Sequence, residues 1–262
     1  MSLRVFSFGG GVQSVAVLVL AAQGRVQYDT FLFSNVGDDS ENPDTITYFE
    51  QIAKPYAKQQ GIELIELRRT KRDGTETTLY QHVMNANRTI DIPIRMANGA
   101  PGNRNCTGQF KIKVIAKWLK QHGASVANPA ITGLGISTNE SQRARKDSGI
   151  AYQVLEYPLI ELGMSWRDCV SLITNAGLPV PSKSACWFCP YKRKTEWQEM
   201  RRTKPELFDK AVAMEDRINE KRAEIGKDRV YLHPSLYPLE QVVGIQQPLF
   251  EDEDCNSGYC FL

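Results

Sequence analysis

Residues 4–8, RVFSF, run directly into Gly9-Gly10-Gly11 and from there into VQSVAVLVLAAQ. The first stretch is short, β-branched and aromatic, and the last is apolar at helical spacing, so the order is strand, glycine turn, helix. The same grammar repeats. DTFLFS at 29–34 reads as a buried strand, and PDTITYFEQIAKPYAKQQG at 43–61 as a helix, with Asp44 and Thr45 in its first turn and Gly61 as its C-terminal cap. IELIEL at 62–67 is a third strand, and ANPAITGLGIS at 127–137 reads as another that leads into a glycine-containing loop. Strands alternating with helices predict an α/β fold, a Rossmann-like parallel sheet with helices on both faces.

Between these units, residues 68–105 lose their periodicity and read as an irregular insertion. A basic helix follows in CTGQFKIKVIAKWLKQHG, with Ile112, Ile115, Trp118 and Leu119 on its inward face. SWRDCVSLITNAGL at 165–178 is a further amphipathic helix, and 195–226 is helical with a break near Pro205. The expected organisation is an α/β domain over 1–180 carrying the insertion, then a helical and irregular region over 181–262 that holds a CxxC and a CxxxxC.

A strand delivering three glycines to a helix start puts backbone N–H groups and the positive end of the helix dipole at one spot, which suits a phosphate. Ser14 adds a hydroxyl from the first turn. Neither GxxxxGK[ST] nor GxGxxG is present, and on the loop alone a phosphate site and a ligand-free tight turn fit equally.

The cysteines narrow the chemistry. Six in 262 residues, with a net charge of +2, point to reduced thiols, metal ligands or catalytic groups rather than a disulfide framework. Cys186 and Cys189 form a CxxC, and Cys255 and Cys260 can supply two further thiolates, a pattern open to a 4Fe-4S cluster or to Zn2+. A redox dithiol or buried small residues are the alternatives. Cys106 opens a helix with Arg104 before it and Lys111 and Lys113 after it, a setting that favours the thiolate of a nucleophile or persulfide carrier; a third ligand role beside Cys186 and Cys189 is also open. Cys169 lies on a helical face and reads as structural.

The longest apolar run, Val15 to Ala22, is too short to span a bilayer, and three glycines with Gln13-Ser14 interrupt any secretion-signal reading, so no membrane partner and a cytoplasmic setting are expected. Two stretches are locally basic. Arg104 to His122 holds five Lys or Arg and no acid, and Lys183 to Lys204 holds seven against two acids, interleaved with Trp187, Phe188, Tyr191 and Trp197. Such faces suit a nucleic acid, tRNA or DNA, or the anionic end of a nucleotide.

SFGGGVQS at 7–14 resembles the PP-loop of the adenine-nucleotide α-hydrolase superfamily, usually SGGxDS. Gly10, Gly11 and Ser14 stand on the matching positions, Gly9 replaces the first Ser, and Gln13 replaces the Asp. SNVGDDSENPDT at 34–45 resembles the second-strand motif of the PAPS (3'-phosphoadenylyl sulfate) reductase branch. RNCTGQFKI at 104–112 is similar to an RxCTxxxKI element of that branch's sulfurtransferase-like members. GISTNESQRAR at 135–145, YPLIELGMSW and SACWFCPYK at 184–192 complete the series, which covers roughly residues 3–215.

The resemblance implies that Ser7, Gly9, Gly10, Gly11, Gln13 and Ser14 hold the phosphates of ATP or PAPS, with Mg2+ as a further candidate. It implies adenosine near Asn35 and Val36, and Glu140, Ser141, Arg143 and Arg145 facing the phosphates. It tips the Cys186, Cys189, Cys255 and Cys260 set toward iron and sulfur. The implied reaction is adenylation of a substrate with release of AMP and pyrophosphate, then sulfur transfer through Cys106, served by a sulfur-donor or thiol-reductant protein. Alternatives are a sulfonucleotide reductase, although the tail reads CNSGYC where ordinary PAPS reductases carry Glu-Cys-Gly, and a non-catalytic binding module.

Overall fold

The computed structural model describes residues 2–28, 30–86 and 89–244. Its centre is a five-stranded parallel sheet: β1 (Arg4–Phe8), β2 (Thr30–Asn35), β3 (Glu63–Arg68), and later β5 (Ala130–Leu134) and β6 (Gln153–Glu156). The spatial order is β3-β2-β1-β5-β6. Register is continuous, with Phe6 opposite Phe31 on one side and Gly133 on the other. The fold is the Rossmann-like α/β arrangement that the alternation of elements predicts.

Alternation within the strands decides what each sheet face covers. Phe6, Phe8, Phe31 and Phe33 point to one side and pack with α1 (Val12–Ala22), the helix pair α2 (Pro43–Tyr48) and α3 (Lys54–Gln59), and later α8 (Trp166–Asn175). Phe33 and Phe49 have ring centroids 4.2 Å apart. Val5 and Leu32 point the other way, onto Ile115 and Leu119 of α6 (Lys113–Gln121). Each fully buried Phe or Leu contributes about 1.5–3 kcal/mol of transfer free energy.

A second apolar core lies beside the sheet and joins two distant parts of the chain. The segment after β3 contributes α4 (Leu79–Met84) and β4 (Arg95–Met96), followed by the short turn α5 (Asn105–Thr107). The later segment contributes, after α7 (Pro158–Glu161) and α8, the helices α9 (Lys194–Thr203) and α10 (Pro205–Glu224), then β7 (Val230–Tyr231) and α11 (Leu239–Val242). Leu79, Ile92 and Ile94 from the first pack with Trp187, Trp197 and Phe208 from the second. β4 pairs antiparallel with β7, Arg95 opposite Tyr231. Pro205 starts α10 at a break after Thr203, as a proline at a first helical position does. Among the described residues no helix is long and apolar enough to cross a membrane.

Candidate functional site

The strand order reverses at β1, because β2 and β3 lie on one side of it and β5 and β6 on the other. In an open parallel sheet such a switch point leaves a crevice at the carboxyl ends of the strands. A cavity of about 1000 Å3 occupies it.

Gly9 and Gly11 of the glycine turn line the cavity, and Gly10 between them does not. Gly10 has φ +76°, and a Cβ there would lie 2.7 Å from Thr45 Cγ2, so both conformation and space require glycine. Gly11 is the extended N-cap of α1 without a side-chain cap, and the first turn of α1 holds no acid. The unbonded N–H groups of that turn therefore carry the helix's positive end toward the cavity. Ser7, Gly9, Gly11, Gln13 and Ser14 all line it. Ser14 donates its hydroxyl hydrogen to the Gly11 carbonyl at 2.9 Å. Gly135 at the end of β5 passes so close that an added Cβ would lie 3.3 Å from Ser14 N.

A later part of the chain closes the wall. Residues 184–187 lie along 39–42 through a bridge between Glu41 and Cys186 and the bonds Asn42 N–H to Ala185 O (3.1 Å) and Trp187 N–H to Ser40 O (3.2 Å). Trp187 Nε1 also donates to Asp39 O at 2.7 Å. This docking brings Ser184 against the glycine turn, where its Oγ would be 3.7 Å from a Cβ on Gly10. Ser184 Oγ and Thr45 Oγ1 are buried and have no hydrogen-bond partner among the described residues. Of the two, Ser184 lines the cavity, and its orphaned hydroxyl beside the uncapped helix start forms a cradle whose missing partner is an acceptor-rich group.

Charge follows the same logic. Lys111, Arg143, Arg145, Arg167, Lys183 and Arg193 line the cavity against Glu140 and Glu196. Arg143 is buried, with Nη1 donating to Glu140 Oε2 at 2.8 Å, while its Nε and Nη2 lack partners among the described residues. Gln13 Nε2 donates to the same Glu140 oxygen at 3.2 Å, so the residue replacing the usual Asp is tied to the loop opposite. Burial by itself would raise the Glu196 carboxyl. The Arg193 N–H and the Lys183 and Lys192 ammonium groups outweigh burial and hold it below the usual carboxylate range.

The remaining expected residues lie elsewhere. Ser141 is exposed and outside the cavity lining. Asn35 is buried with its amide donating to Asp38 and Glu66, and Val36 belongs to the second core; their strand neighbours Phe33 and Ser34 line the cavity in their place. Cys106 does not line the cavity, but Thr107 does. The Cys106 N–H donates to Asp91 O at 2.7 Å, and Cys106 and Cys186 both pack against the second core. Tyr191 stands near Cys189 and Cys106; burial first, then those thiols, raise its phenol, opposed by Arg104 and Arg95. Cys186 and Cys189 share a tight turn, Cys189 N–H to Cys186 O at 3.1 Å. Among the described residues no group of three or more His, Cys, Asp or Glu is arranged to hold a metal ion, and Cys255 and Cys260 lie outside the described residues. The CxxC thus offers two soft donors, half of a four-thiolate set. Cys169 is fully buried, and burial pushes its thiol up to about 12.

Lys183, Ser184, Thr45 and Arg167 did not stand out in the sequence as site residues. Lys183 and Ser184 directly precede the CxxC, and that adjacency was the available signal.

No protein-family model matches the chain, and no curated protein matches it. Among solved structures it is similar to the crystal structure of phosphoadenylyl-sulfate (PAPS) reductase from Candida auris in a phosphate complex, with 11% sequence identity and a TM-score of 0.46, over 71% of this chain and 82% of that one. A likeness this loose assigns neither a reaction nor a ligand.

Proposed function

We propose that the protein is a PP-loop enzyme of the PAPS reductase-like kind that binds ATP in the switch-point cavity, adenylates a substrate and delivers sulfur to it. The observation that carries the reading is the cradle of Gly9–Gly11, the uncapped α1 start and the orphaned Ser184 hydroxyl. Backbone N–H groups there hold the β and γ phosphates, and Lys183 and the free edge of Arg143 neutralise charge as the α–β bond breaks. An acceptor oxygen forms the new bond to the α phosphorus, and pyrophosphate leaves. A sulfur-donor protein passes the outer sulfur of its own persulfide to the Cys106 thiolate and leaves as a thiolate; the Cys106 persulfide then attacks the activated carbon and AMP departs. Two electrons from a thiol-reductant protein cleave the resulting Cys106–sulfur–acceptor disulfide, leaving the sulfur on the acceptor. Support for Cys106 comes from its neighbour Thr107 on the cavity wall.

In the same reading Cys186, Cys189, Cys255 and Cys260 hold a 4Fe-4S cluster, with Zn2+ as the alternative, in a reducing cytoplasm. Protein purified without oxygen is brown and contains labile sulfide; a colourless protein with one zinc removes the cluster.

The deciding experiment is incubation with ATP and Mg2+ and chromatography of the products. AMP and pyrophosphate in equal amounts support the reading. Thioredoxin-dependent sulfite release from PAPS, without ATP cleavage, replaces it with sulfonucleotide reduction. Full turnover by Cys106→Ser removes the sulfur carrier.

A further inference from the structure

The cavity is larger than one nucleotide needs, since about 1000 Å3 is the upper end of the range for small-molecule sites. It extends in two directions from the glycine turn. One wing runs over β2 and is lined by Phe33, Ser34, Lys111 and Ile112; the other runs over β5 and β6 and is lined by Gln153, Leu155, Arg145, Trp166 and Arg167. The phosphate cradle lies between them.

The second wing has an unusual lip. Trp166 opens α8 with 47% of its surface exposed, although a large aromatic normally covers its faces. No aromatic ring or cation of the described residues stacks on it. Its backbone is held: the Trp166 main-chain N–H donates to Asn139 Oδ1 at 2.9 Å, and Ser165 and Asp168 form a capping box around the same turn. Arg145 and Arg167 line the same cavity, both exposed and neither in an ion pair among the described residues. The Arg145 backbone is fixed from both sides by the Tyr157 hydroxyl, which accepts the Arg145 N–H and donates to its carbonyl, each at 2.8 Å. An uncovered indole on a fixed backbone, sharing a cavity wall with two guanidinium groups that are in no ion pair among the described residues, matches a planar base and its flanking phosphates.

From this lip we infer that the β5–β6 wing is the acceptor subsite, and that its occupant is a nucleotide within a single nucleic-acid strand, its base stacked on Trp166 and a phosphate on Arg167. The inference rests on the β2 wing and the cradle taking ATP. A single strand fits because a base inside a duplex has no free face for the indole.

The test uses the full-length protein, fluorescein-labelled (dT)10 and (rU)10, a duplex of the same length, and dTMP as competitor, read by fluorescence anisotropy over a salt series. Trp166→Ala weakens strand binding about tenfold, and Trp166→Phe keeps it within about threefold because a phenyl ring still stacks. Arg167→Gln lowers the slope of log affinity against log salt by about 0.7, one phosphate contact. Both side chains are exposed, and an unchanged melting temperature shows that the variants fold. Strand affinity that ignores Trp166→Ala, tighter duplex binding, or equal competition by free dTMP overturns the inference. ATP affinity measured by calorimetry on the same samples separates the two readings: ATP binding with strand binding indifferent to Trp166 sinks only the subsite, and Trp166-dependent strand binding without ATP binding sinks only the proposed reaction.

Discussion

A buried hydroxyl without a partner costs free energy until something donates to or accepts from it, and Ser184 is such a residue beside the glycine turn. Ser184→Ala therefore leaves the melting temperature of the ligand-free protein unchanged or slightly higher. It lowers ATP affinity by about tenfold, as removing a hydrogen bond to a charged group does, and calorimetry beside a thermal melt checks both. His233 tests a different residue-level effect. Its Nδ1 accepts from the Ser235 N–H at 3.2 Å and lies 2.8 Å from Ser235 Oγ. Burial first, then Lys194 and Arg95, pull its pKa from 6.5 down to about 4. The unfolded chain thus binds a proton between pH 6.5 and 4 that the folded one refuses, so stability is complete above pH 6.5 and declines as the pH falls toward 4. The loss is on the order of 2 kcal/mol after allowing for partial exposure. Urea titrations at pH 7 and pH 4.5 show it, and His233→Asn reduces the difference.

At the scale of elements, Glu215 of α10 shows how a single carboxylate fastens a whole segment. It is 1% exposed, and its two oxygens accept the N–H groups of Leu232 and Leu239, each at 2.7 Å. Glu215→Gln sets an amide N–H against one of those donors and destabilises by about 2 kcal/mol, read from the urea midpoint. Glu215 gave no sign of this role in the sequence, where it stands among other charged residues of a long helix. The α/β class was legible because β1 and β2 are locally apolar, β3 interleaves apolar with charged residues, and helical periods separate them. β6 was not, since QVLE is only four residues long and is anchored by Glu156 to Arg4 and Tyr28, more than a hundred residues earlier. The β4–β7 pair is two residues on each side and depends on long-range contact alone. The glycine turn of the site could be read for the same local reason as the strands, whereas Ser184 reaches it only through the docking of 184–187 along 39–42.

For the whole molecule, the cavity is bounded by the sheet, by α5 and the turn that follows it, and by the segment from Pro181 to Glu196, so a ligand there braces both cores at once. ATP at a hundred times its dissociation constant stabilises by about 2.7 kcal/mol and raises the melting temperature by about 5–10 °C in a single transition. Two transitions, only one of which moves, would show that the cores respond separately. The pairing of β4 with β7 also has a consequence during synthesis. At about 5–20 residues per second, the ribosome needs on the order of ten seconds to proceed from Met96 to Val230. For most of that interval, until Trp187, Trp197 and Phe208 follow, the nascent chain presents Leu79, Val83, Ile92 and Ile94 without their later covering, as a chaperone client does. An unfinished chain that stops before Ser184 has the parallel sheet but lacks the wall that completes the cradle.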